Sequence, residues 1–183
     1  MIRTHPALAA LLVLVFALFV FWRVRVDYAL RGRLTLPSAI LQFLVFLLHG
    51  LASYSFIDPG ASTGWRESRF LPLALGLMVV GLVSVLAAMA QLRLGDTLGR
   101  SAKDLKISGA YRFSRNPQLI AYFVFLAGYV LLTPMWLGLV WLVIYAIIAH
   151  VMVLTEEGHL RRTFGAEYQA YCRRTPRYLG IPR

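Results

Sequence analysis

Five stretches of this chain are apolar for long enough to cross a lipid bilayer as helices, and that fact narrows its possible folds more than any other. A hydrocarbon core of about 30 Å takes about 20 helical residues, with a working range of roughly 17–25. Backbone polar groups there must be bonded within the segment itself. The stretches are 6–22, 36–57, 70–92, 117–133 and 134–154. The first carries no charge, and the second is polar only at Ser38, Gln42, His49 and Ser53-Tyr54-Ser55. The expectation is an all-α, polytopic membrane protein of one domain with five transmembrane helices. Thr133-Pro134 leaves almost no room for a loop, so the last two spans are expected to form a tight helical hairpin. Pro134 would open the fifth helix, where its missing N–H costs nothing.

Composition agrees. Apolar residues make up 59% of the chain and charged residues 15%, against roughly 45–50% and 25% in globular proteins. Such a chain is not disordered. With Cys172 its single cysteine, it is not a disulfide scaffold either. Arg3 ahead of an apolar run resembles a signal peptide. However, the run is long, no small-residue cleavage site follows it, and Arg23 and Arg25 come next. It is read as a retained span.

The net charge of +11 suits either nucleic acid or an anionic membrane surface. Its distribution decides between them. With five spans, 23–35, 93–116 and 155–183 share one side and hold sixteen of the 19 basic residues. That side is expected to be cytoplasmic and the N-terminus external. Topology and lipid headgroups then account for the charge, and no nucleic-acid partner is expected.

Two segments on the basic side, 93–116 and 155–183, are too short to bury cores of their own. Any chemistry they perform needs both together, as short C-terminal helices and a connector packed on the helix ends. In the first, Gly95, Gly99 and Gly109 permit unusual backbone angles and close approach to a ligand. Asn116-Pro117 marks a helix start, whose free N–H groups can receive a carboxylate; an ordinary connector reads the same way. In the second, Glu156 and Glu157 follow the fifth span directly, at a level where burying charge is costly. Either the helix runs on to about Phe164, capped by Gly165, or the acids face a cation. An i,i+4 pair between Glu157 and Arg161 in solvent is the plainer account. Tyr168, Tyr171 and Cys172 then trace a short amphipathic helix.

Together these segments resemble the integral-membrane methyltransferases that use S-adenosylmethionine, of the isoprenylcysteine carboxyl methyltransferase and phospholipid methyltransferase type. The resemblance covers roughly residues 93–178. One motif is Gly109-Ala110-Tyr111 followed by Arg115-Asn116-Pro117-Gln118-Leu119. The other is Glu156-Glu157, Phe164-Gly165-Ala166-Glu167-Tyr168-Gln169-Ala170-Tyr171 and Thr175-Pro176-Arg177. The resemblance implies cofactor contacts at Lys103, Asp104, Leu105, Lys106, Tyr111, Arg115, Asn116, Pro117, Gln118, Leu119, Glu156 and Glu157. It implies S-adenosyl-L-methionine as cofactor and a lipophilic acceptor reached sideways from the membrane. The family's first motif has a histidine where Asn116 stands here, a departure that phospholipid-type members also show. Leu119 replaces an aromatic, with Tyr122 one turn on. The carboxyl methyltransferases place a substrate-binding arginine four residues before the first glutamate. Here that position is Met152, which points away from a prenylcysteine carboxylate. Met152 and His150 are the candidate substrate-facing residues.

The chemistry fits these residue types. The cofactor carries a sulfonium, an ammonium and a carboxylate beside an apolar adenosine. Glu156 and Glu157 suit its cations, Lys103, Lys106 or Arg115 its carboxylate, and Tyr111 its adenine. Methyl transfer needs alignment and exclusion of water and calls for no metal. An amine acceptor needs a base, for which His159 or a glutamate is at hand. His49 and His150 lie within spans, where ionisable residues are functional candidates; a neutral, hydrogen-bonded histidine is the alternative for each. Two other functions compete. One is an NADPH-dependent membrane reductase of the sterol reductase type, to which Tyr171-Cys172-Arg173-Arg174-Thr175-Pro176 is similar. The other is a non-enzymatic accessory membrane protein.

Overall fold

A computed structural model describes residues 6–53, 70–91, 105, 107–132 and 136–180. It is all-α: α1 (Pro6–Arg31), α2 (Leu36–Ala52), α3 (Leu71–Ala90), a 3-10 turn (Gly109–Arg112), α4 (Pro117–Leu132) and α5 (Trp136–Arg174). Among the described residues, three helices are long and apolar enough to cross a membrane: Ala7–Arg31, Leu71–Ala90 and Trp136–Arg174. The other two, α2 with 17 residues and α4 with 16, are apolar but shorter. Residues 54–57 of the expected second span and 133–135 of the expected hairpin lie outside the described residues.

Two helices extend well past the expected ends of their spans. Helix α1 continues from residue 22 to Arg31 because its charged last turns find tertiary partners. Arg23 Nε donates to Ser38 Oγ at 3.0 Å and Arg25 Nε to Thr155 Oγ1 at 3.3 Å. Asp27, buried, receives Arg31 together with the backbone N–H and the hydroxyl of Thr35. Gly32, at φ 62°, ends the helix in the left-handed conformation that suits glycine. Thr35 and Pro37 then open α2. Helix α5 has 39 residues, about 58 Å at 1.5 Å per residue, long enough to cross a bilayer and extend beyond it. It bends at Gly165 (φ 49°, ψ −117°), the residue expected to cap it, and a final helical segment follows.

Packing divides the molecule. One core joins α1, α2 and one face of α5 through Val20, Phe21, Val24, Val45, Trp141 and Ile148. A second joins α4 to another face of α5 through Leu119, Leu126, Tyr145, Ala149 and Val153. Helix α3 lies against α4 backbone to backbone. A Cβ on Gly81 would stand 2.5 Å from the Phe125 nitrogen, and one on Gly128 2.6 Å from the Ala74 carbonyl oxygen. Each approach needs a glycine on one of the two helices, a usual way for apolar helices to pack in lipid. Most of the remaining surface of α3 is exposed and apolar, including Leu73, Val79 and Val83. Lipid is the solvent such a surface suits.

Candidate functional site

The first turns of α4, the 3-10 turn, the N-terminal half of α2, the end of α1 and the emerging part of α5 meet at one end of the bundle. Asn116 begins α4: its carbonyl accepts from the backbone N–H groups of Leu119 and Ile120, and its own N–H donates to Ser114 Oγ at 3.0 Å. Its side chain is buried and donates to the Arg177 carbonyl at 3.0 Å. The Arg115 N–H meets the Pro176 carbonyl at 3.0 Å. The chain after α5 is therefore stitched to the start of α4 by one backbone bond and by the Asn116 side chain.

Glu157 is the centre of an ionic clasp. Its carboxylate, 6% exposed, takes Arg115 at 2.8 Å and both Nε and a terminal nitrogen of Arg177 at 2.9 and 2.8 Å. Arg161, on the same helix, stands at 3.6 Å. The fork of Arg177 matches a carboxylate in bidentate fashion, and this pairing raises the Arg177 pKa still further. Arg115 also donates to Cys172 Sγ at 2.8 Å and to the Tyr168 hydroxyl at 3.3 Å. The i,i+4 pair with Arg161 is present, but it is the most exposed and the longest of these contacts. Burial holds the hydroxyls of Tyr168 and Tyr171 in their protonated form.

Glu156, the preceding residue, faces elsewhere. Consecutive helical residues diverge by about 100°, so its carboxylate points toward α2, where Gln42 Nε2 donates to it at 2.9 Å. Among the described residues no cation stands within ion-pair distance of it. Enclosure by protein raises its pKa above the usual carboxylate value, and the Gln42 bond opposes that shift only in part. Tyr28 of α1 and Tyr111 of the 3-10 turn lie close enough to feel its charge. Tyr28 stacks on His159 with ring centres 4.0 Å apart. Desolvation, with the nearby Arg162 second, lowers the His159 pKa and favours the neutral ring. The other amide atom of Gln42, Oε1, is buried and has no hydrogen-bond partner among the described residues.

Tyr111 is buried and fixed at both ends. Its hydroxyl donates to Gln118 Oε1 at 3.1 Å, and its carbonyl accepts from the Tyr171 hydroxyl at 2.6 Å. Gly109 precedes it at φ 64°, with Gln91 Oε1 filling the space a Cβ would need and accepting from the Ala110 N–H at 3.0 Å. Only glycine fits there.

The expected cofactor residues thus fall into three groups. Tyr111 bonds to Gln118 and lies close enough to Glu156 to feel its charge, with Pro117 opening α4 beside Gln118. Arg115, Asn116 and Glu157 form the clasp that anchors the tail. Leu119 is buried in the α4–α5 core, where its carbonyl receives the Tyr145 hydroxyl at 2.7 Å. Leu105 is half-buried; Lys103, Asp104 and Lys106 lie outside the described residues. Of the substrate candidates, Met152 is one turn before Glu156 on the same face and packs between the two cores. His150 is exposed on another face, with Nδ1 2.8 Å from the Tyr178 hydroxyl. It lines an apolar groove of about 530 Å³ between α4 and α5, shared with Leu119, Phe123, Ile147 and Leu179. His49 is fully buried, stacked on Trp141 at 4.2 Å, with Nε2 3.4 Å from the Trp141 carbonyl. Gln42 and Tyr28 are absent from the motif-based expectation. The one signal available for Gln42 was a lone amide in an apolar span; Tyr28 carried none.

Comparison with known proteins adds one finding. Residues 70–167 match the family model described as phospholipid methyltransferase, more than half of the chain. No curated protein and no solved structure gives a significant match.

Proposed function

Because the chain belongs to the phospholipid methyltransferase family, whose members use S-adenosylmethionine, we propose that it methylates a lipophilic acceptor at the membrane boundary, with the cofactor held by Glu156, Tyr111 and the start of α4. The carrying observation is the contrast between adjacent acids. Glu157 is saturated by arginines, whereas Glu156 is enclosed by protein with an amide as its only hydrogen-bond partner among the described residues. A carboxylate enclosed without a countercharge is unfavourable, and a cationic ligand relieves that cost. The residues present therefore fit the cofactor.

When bound, the cofactor supplies an activated methyl group on a sulfonium. The chain supplies the rest. Glu156 provides the negative charge, and the positive end of the α4 helix dipole suits a carboxylate. Tyr111, immobilised by Gln118 and Tyr171, offers a ring for the adenine. The Glu157 clasp closes the tail over this end of the bundle and keeps water out. The groove beside His150 and Tyr178 takes an acyl or prenyl chain of the acceptor, since its apolar wall opens toward lipid. The basic segments, and with them the site, face the cytoplasm.

Three experiments test this reading. Incubating membranes with radiolabelled S-adenosylmethionine and total lipids or prenylcysteine analogues should yield a labelled lipophilic product. Tight NADPH binding without S-adenosylmethionine binding would reverse the assignment in favour of a reductase. A reporter fused after Arg183 should be cytoplasmic and one at Met1 external; the same location for both would remove the five-span topology.

A further inference from the structure

Gln42 sits on α2, outside the matched region 70–167, yet it reaches the one acid of this cluster that no cation pairs among the described residues. Its amide is used on one side only: Nε2 donates to Glu156 at 2.9 Å, and Oε1 is buried without a partner. Turning the amide over would set its oxygen against the carboxylate, so an ionised Glu156 fixes this orientation. Two acceptors from neighbouring helices, one charged and one neutral, therefore meet without enough donors. A buried acceptor left unsatisfied is costly and marks a place where a group is missing. Among the described residues, Tyr28 from α1 and Tyr111 from the 3-10 turn lie close enough to Glu156 to feel its charge, with Arg25 and His159 beyond them on Thr155 and Tyr28. Arg25 is spent on Thr155 at 3.3 Å. Tyr111 donates to Gln118, and His159 stacks on Tyr28.

The two cations of S-adenosylmethionine differ in what they can satisfy. A sulfonium brings charge but no hydrogen to donate. An ammonium brings charge and three donors, enough for a carboxylate and an amide oxygen together. We infer that Glu156 and Gln42 jointly receive the α-ammonium of the cofactor, with Gln42 both steering the carboxylate and accepting one ammonium hydrogen. The inference rests on the function proposed above. It gives α2 a part in cofactor recognition and leaves the sulfonium free to face the acceptor.

Equilibrium binding to the purified full chain, with three probes, tests it. S-adenosylmethionine carries both cations. S-adenosylhomocysteine keeps the ammonium but has a neutral sulfur. Methylthioadenosine has neither cation. Gln42→Leu should weaken the first two by a similar factor, about tenfold or more for a lost charge-assisted bond, and leave methylthioadenosine binding unchanged. The milder Gln42→Asn should show the same pattern to a smaller degree. Weakening confined to S-adenosylmethionine would assign the contact to the sulfonium and overturn the inference. Equal loss of all three probes would make Gln42 a residue of the fold, and no change in any would remove it from the site; either overturns the inference. Failure of the unaltered chain to bind any probe would instead overturn the proposed function, and the inference with it.

Discussion

Two neighbouring regions at one end of the bundle use the same residue type to opposite ends. In the clasp, Glu157 is surrounded by Arg115, Arg161 and Arg177 and ties the tail to α4. In the pocket proposed for the cofactor, one residue earlier, Glu156 lies near Gln42, Tyr28 and Tyr111 without a countercharge among the described residues. A buried acid with its charge matched is an element of the fold. A largely enclosed acid with its charge unmatched is, on the function proposed above, the place for a cationic ligand. The difference comes from helix geometry, since one residue step turns a side chain by about 100°, toward α4 and the tail or toward α2.

The largest expected effect tests the clasp. Glu157→Ala leaves Arg115, 10% exposed, as an unpaired buried charge, a change that costs about 3–5 kcal/mol. A large fall in thermal stability in detergent should follow, with loss of cofactor binding as a consequence. Next comes the pocket. Glu156→Gln should leave the melting temperature unchanged or slightly raised, because it removes an uncompensated charge, while weakening S-adenosylmethionine binding by about 1.5–3 kcal/mol, the worth of a charged hydrogen bond. If Glu156→Gln unfolds the protein and Glu157→Ala does not, the comparison is inverted and fails.

pH sharpens the contrast. The Glu156 pKa is raised by burial, so the folded state of the free protein holds this proton more tightly than the unfolded state does. Its contribution to stability is fully present below the unfolded value and is lost as pH rises through the folded value. Binding a cation runs the other way and favours the ionised form. Affinity for S-adenosylmethionine should therefore rise with pH across the raised Glu156 pKa, and Glu156→Gln should remove that step from a titration of affinity against pH. The smallest effect is expected at Tyr111→Phe. It loses only the 3.1 Å bond to Gln118, about 0.5–1.5 kcal/mol, and keeps the ring. Cofactor affinity should fall slightly, and an unchanged value would confine the role of Tyr111 to stacking.

The positions of the helices were legible from hydropathy because lipid-facing surfaces stay apolar without interruption, as along α3. Helix ends were not. Arg23, Arg25 and Asp27 look like the start of a loop until Ser38, Thr155 and Thr35 are seen to receive them. Motif spacing brought Tyr111 and Glu156 onto the list of candidates. It treated Glu156 and Glu157 alike, however, because adjacency in sequence says nothing about the face each one takes. Arg177 stood within a recognised basic ending, but its partner twenty residues earlier depends on the bend at Gly165. Gln42 could be seen only as a polar interruption of a span, since its meaning lies in a contact across 114 positions.

Helix α5 carries one more consequence. From Trp136 to Glu156 it runs without a break other than ordinary helical turns, a rise of about 30 Å, which equals a typical hydrocarbon thickness. On the proposed membrane topology, this rod sets the acid about one hydrocarbon thickness from the start of the helix. Membranes of different thickness would tilt that rod rather than stretch it, so turnover should vary with acyl-chain length in reconstituted bilayers even when the acceptor headgroup is kept the same.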